Sequence, residues 1–96
     1  MKIENILNQV EYNQVQSKRL VTNGGQQVNL LSLEKGSEIP NHKSTKDATI
    51  IVVEGEMKFT VDRKEYTLKA MDTYSFGIVD EHSVYATENV KFLLIQ

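Results

Sequence analysis

The sequence predicts an all-β domain, a barrel or sandwich of short strands with a short helix at its N-terminus. Three observations predict it. Met57, Phe59 and Val61 alternate with Glu56, Lys58 and Thr60, which puts apolar groups on one face and polar groups on the other. The β-branched run "ATIIVVEG" has the length of a buried strand. Short apolar or alternating segments then follow one another at close spacing with polar turns between them, while helical periodicity occurs once.

Taken in order, Ile3, Ile6, Leu7 and Val10 share one face of a short helix, so residues 1–13 are expected to form a terminal lid or dimer contact. Residues 14–96 are expected to form the single barrel domain. "NQVQSKRLVT" and "QQVNLLSL" flank Asn23-Gly24-Gly25, whose tolerance of positive φ suits a tight hairpin. Gly36 and Pro40 punctuate a loop before "ATIIVVEG". A two-residue turn at Arg63-Lys64 leads into "EYTLK", where Tyr66 and Leu68 alternate with polar residues. "AMD" marks the next turn, and "TYSFGIVDE", "HSVYAT" and "VKFLLIQ" supply the remaining strands.

The bulk properties narrow the partners. At 96 residues the chain holds one small core, and a domain of this size buries only ~60–65% of its unfolded surface, so a homodimer is the default expectation. Lys plus Arg number 11 against 13 Asp plus Glu, with a pI near 5.6 and no basic face, which argues against nucleic acid. The absence of cysteine excludes disulfides, thiolate zinc sites and a cysteine nucleophile. Glu4 and several amides interrupt the N-terminal apolar positions, and no run approaches ~20 apolar residues, so a cytoplasmic protein with no membrane partner is expected.

The stretch "GSEIPNHKSTKDATIIVVEGE" and the later "MDTYSFGIVDEHSVYA" resemble the two motifs of the cupin superfamily. The first motif runs glycine, histidine, histidine, glutamate, glycine, and its positions fall without a gap on Gly36, His42, Ser44, Ala48 and Gly55. The second runs glycine, proline, glycine, histidine, asparagine, and falls on Met71, Gly77, Val79, His82 and Ala86. The resemblance implies a double-stranded β-helix, or jelly-roll barrel, with inward-facing ligands at the histidine and glutamate positions. Here only His42 and His82 keep ligand side chains. Asp47 and Glu81 stand one residue off the ligand positions, and a one-residue offset in a strand reverses the side-chain direction. Two neutral imidazoles make a poor transition-metal site.

The expected pocket is accordingly His42, Ser44, Ala48, Met57, Phe59 and His82. It is expected to bind a small molecule with no complete metal site and no cofactor. A divalent transition metal on His42 and His82 is the alternative, as is an enzyme of oxygenase or isomerase type in which a histidine serves as general acid or base. No triad, phosphate-cradling loop or paired-carboxylate site is identifiable, and no substrate is named.

Overall fold

The computed structural model describes residues 5–44, 46–78 and 80–96, and at Asn23 the backbone only. The described residues form nine strands: β1 (Val15–Asn23), β2 (Gln26–Leu33), β3 (Glu38–Lys43), β4 (Ala48–Glu54), β5 (Glu56–Val61), β6 (Lys64–Lys69), β7 (Thr73–Phe76), β8 (Glu81–Ala86) and β9 (Val90–Ile95). They build two antiparallel sheets, one ordered β1-β2-β9-β4-β7 and the other β3-β8-β5-β6.

The core lies between the sheets and is made by alternation. Ala48, Ile50, Val52, Val90 and Phe92 from the first sheet meet Met57, Phe59, Val61, Val84 and Ala86 from the second, all buried. The step between sheets from β4 to β5 is made by Gly55 alone. Its φ is +87°, and a Cβ there would lie 1.9 Å from the carbonyl oxygen of Asn89.

The hairpin at Gly24-Gly25 is as expected, with φ of 61° and 84° fitting the strand twist. The β5–β6 turn is displaced by one residue from its expected place. Asp62 and Arg63 form it, at φ of 50° and 68°, while Lys64 already pairs with Val61 in the ladder. Neither turn residue is glycine, so the positive φ left no mark in the sequence. The "AMD" turn forms as read, with the Asp72 carboxylate accepting the backbone N–H of Lys69 at 2.8 Å.

The expected loop around Pro40 is instead β3, an edge strand of the second sheet. Proline is tolerated there because an edge strand leaves backbone N–H groups unused, and the register of β3 on β8 slips between Ile39 and His42 at the same point.

The helical segment is a single 3-10 turn, Ile6–Asn8, capped by the Asn5 side chain accepting the N–H of Leu7 at 2.9 Å. Ile3, the first residue of the expected helical face, lies outside the described residues. The segment that follows is strapped across the outer face of the first sheet. Ser32 Oγ donates to the Glu11 carbonyl at 2.7 Å, Lys91 Nζ donates to the Leu7 carbonyl at 2.5 Å and lies 4.7 Å from the centre of the Tyr12 ring, and Tyr12 donates its hydroxyl to Glu54. Burial, and then the Glu54 carboxylate, push the Tyr12 hydroxyl far above the usual phenol range. Leu30 is fully buried yet stands outside the inter-sheet cluster, because its partner Leu93 faces away from Phe92.

Candidate functional site

β3 and β8 lie side by side, and their register sets His42 directly opposite His82. Ile39 pairs with Val84, so three steps along β3 match two along β8. In a regular strand three steps would put His42 on the opposite face from Ile39. The bulge turns it to the same side, and the two imidazole rings meet edge to face with centroids 4.2 Å apart.

Each ring is anchored through Nδ1 to the carbonyl oxygen two residues earlier, His42 to Pro40 at 2.8 Å and His82 to Asp80 at 3.2 Å. A carbonyl oxygen can only accept, so each ring carries a proton on Nδ1 and, when neutral, keeps its lone pair on Nε2. His42 is exposed at the mouth, whereas His82 is 5% exposed and packs on Phe59 and Phe76 at ring distances of 5.8 and 4.4 Å.

Burial lowers the pKa of His82, the hydrogen bond to Asp80 opposes the shift, the nearby His42 charge adds to it, and the Asp80 charge opposes it; burial prevails. The unfolded chain, titrating near the ordinary value of 6.5, then binds this proton more readily than the folded one. Stability is expected to be at its full value above pH ~6.5, to fall as the pH drops below that, and to level off beneath the folded pKa. Thermal unfolding of the protein and of His82→Gln between pH 8 and 5 checks this: the variant should lose part of the acid sensitivity, and equal slopes would contradict it.

Behind the rings lies an apolar chamber of about 60 Å³, lined by both histidines and by Leu31, Ile50, Phe59 and Phe92 among others. In front is a wider mouth of about 210 Å³ lined by His42, Lys43, Ser44, Phe76, His82, Leu94 and Gln96. His42, Phe76, His82 and Leu94 line both, so the two spaces adjoin across these four side chains.

The other expected pocket residues are distributed around this axis. Phe59 lines the chamber, and Ser44 lines the mouth with its hydroxyl donating to the Lys46 carbonyl at 2.5 Å. Ala48 faces the core and is 3% exposed, and Met57 is wholly buried between Leu68 and Ala86 in the ladder, deeper than the chamber lining. Glu81 lies in β8 beside His82, faces outward and accepts from Asn41 at 2.8 Å, whereas Asp47 precedes the start of β4, so strand parity does not set its direction, and it accepts the N–H of Ile78 at 3.2 Å. Sequence reasoning passed over Lys43, Leu94 and Gln96 at the mouth. Their only signal is parity and adjacency to the histidine strand and to the last strand.

The metal that the fold family implies needs at least three protein donors. The set here is two imidazoles, a hydroxyl already donating to backbone and a buried methyl, and among the described residues no three His, Asp or Glu side chains gather as a metal site. These residues do not fit a resident metal ion.

Nine strands in two sheets around a histidine-edged cavity define a small β-barrel of jelly-roll type. The chain belongs to the cupin family: the family model described as "Cupin domain" matches residues 29–96. It is similar to the crystal structure of a conserved protein of unknown function from Streptococcus pyogenes, at 28% identity over 98% of this chain and 84% of that one, with a TM-score of 0.88. A cupin 2 conserved barrel domain protein from Leptotrichia buccalis is 35% identical over 90% of this chain and 43% of its own length, TM-score 0.82. An RmlC-like cupin protein from Desulfovibrio desulfuricans shares the fold at TM-score 0.86 and 22% identity, covering 99% of this chain and 94% of that one. A search of the curated proteins found no match.

Proposed function

We propose that the barrel is a binding module for a small organic molecule, held between the apolar chamber and the His42–His82 pair, with no resident metal. The observation that carries this reading is the cavity itself: two touching imidazoles with Nδ1 committed to backbone stand where an apolar chamber adjoins a wider mouth of mixed lining. Pockets that take small molecules combine an apolar lining with a few placed polar groups. Ala48, at the family's carboxylate position, is a buried methyl, and the chamber wall carries no carboxylate, so the space behind the rings is neutral and apolar.

A second reading, acid–base catalysis, is favoured by His82. Burial keeps its ring neutral at physiological pH, and the committed Nδ1–H directs the lone pair to Nε2, the form a general base requires. Elemental analysis separates both from a metalloprotein. Protein purified without chelator or nickel resin is expected to hold well under one equivalent of iron, zinc, manganese or nickel. A near-stoichiometric metal that disappears in His82→Ala would overturn the metal-free reading.

A further inference from the structure

The size and polarity of the cavity narrow what it can hold. An apolar cavity of ~150 Å³ is enough to bind benzene, and a water-sized group occupies ~30 Å³ of liquid volume. At about 60 Å³, the inner chamber has room for roughly two carbon groups and is too small for an aromatic ring. Its wall carries no hydrogen-bonding side chain other than the two histidines, so an alkyl end suits it and a polar end does not.

At the neck, two Nε2 atoms have no partner among the described residues, since both rings spend Nδ1 on carbonyl oxygens. A neutral Nε2 accepts and cannot donate, so the group that meets it must offer a hydrogen, as a hydroxyl does. Among the residues that line the mouth, Lys43 is the one with a permanently charged side chain, and it stands there with Ser44 and Gln96. Glu81, paired with Lys43 across the ladder, accepts a hydrogen bond from Asn41 at 2.8 Å. A carboxylate entering the mouth meets a cation there.

We propose that the pocket takes a short-chain aliphatic 2-hydroxy acid, with its alkyl end in the chamber, its hydroxyl donating to one Nε2 of the histidine pair and its carboxylate beside Lys43. This rests on the binding-module reading above and names the class of ligand for it. A chain of about four carbons matches the chamber, since the two beyond the hydroxyl-bearing carbon fill it.

Calorimetric titration with 2-hydroxybutyrate, glycolate, butyrate and mandelate tests it, read beside the histidine ring signals in NMR. The hydroxybutyrate is expected to bind about fifteenfold more tightly than glycolate, at roughly fourfold for each buried methylene. Butyrate, which lacks the hydroxyl, is expected to be weaker by about fivefold. Lys43→Met, an exposed change that leaves the core intact, should weaken hydroxybutyrate by roughly two- to fivefold and leave 1,2-butanediol unchanged, with Lys43→Arg restoring the difference. Equal binding of glycolate and hydroxybutyrate, or tighter binding of mandelate, overturns the proposed class. In that case, ring-signal shifts of His42 and His82 with a different probe keep the binding-module reading. If neither these acids nor a panel of neutral and cationic fragments moves the ring signals, both fall.

Discussion

Gly55→Ala is expected to cost about 4 kcal/mol or more, enough to remove most of the stability of a domain whose total is ~5–15 kcal/mol. Two independent effects combine at this position. The backbone sits at φ +87°, where an L side chain is strained, and the added Cβ would stand 1.9 Å from the Asn89 carbonyl oxygen and 2.8 Å from the Cα of Val90. Both neighbours are backbone and cannot rotate away. Gly36 separates the two effects, because its φ is +89° and nothing lies within 4 Å of its virtual Cβ. Gly36→Ala should therefore cost only the conformational strain, about 1–2 kcal/mol. Denaturant unfolding of the two variants checks the contrast, and equal losses would contradict the account of Gly55 as the close-packed corner between the sheets.

Phe59→Ala carries the second large effect. Phe59 is fully buried at the centre of a ring cluster, 5.5 Å from Tyr74, 5.4 Å from Phe76 and 5.8 Å from His82. Removing a buried phenylalanine side chain costs about 3–5 kcal/mol, which for a domain of this length lowers Tm by more than ~12 °C. The same ring is a wall of the chamber. Truncation should enlarge the cavity, release His82 from one of its two aromatic supports and weaken binding of any ligand that relies on a fixed ring. A loss under ~1 kcal/mol would show that the chamber collapses freely and that Phe59 does not hold it open.

These two residues were legible to different degrees. The alternation of Met57, Phe59 and Val61 placed Phe59 inward from the sequence alone, and the ladder with β6 and β8 has that parity. Gly55 was visible only as a motif position; its contact with Asn89 joins residues far apart in the chain. The hairpin at Gly24-Gly25 declared itself through glycine, whereas the Asp62-Arg63 turn adopts the same positive φ with residues that do not require it, and its place was misread by one.

The site divides along similar lines. Strand parity counted from Ile39 sends His42 outward, and a bulge at Pro40, in what read as a loop, turns it inward. Motif spacing therefore located His42 where local pattern could not. Strand parity fixes the direction of Glu81 in β8 but not of Asp47, which lies before β4, and the two carboxylates accept from Asn41 and Ile78. The apolar periodicity of the N-terminal segment, read as a helix serving as a terminal lid or dimer contact, suggests more helix than the three residues of the 3-10 turn. Backbone and side-chain hydrogen bonds to Ser32, Lys91 and Glu54 hold it instead, and none of these partners is near it in sequence.

The most direct test of the central claim is an electron-density map of the cavity in crystals of protein purified without chelator and grown with 2-hydroxybutyrate. The account predicts elongated density running from the chamber past the two rings, with no anomalous scatterer between them. A compact anomalous peak ~2.0–2.1 Å from both Nε2 atoms, or a chamber filled by repacked side chains, would contradict it.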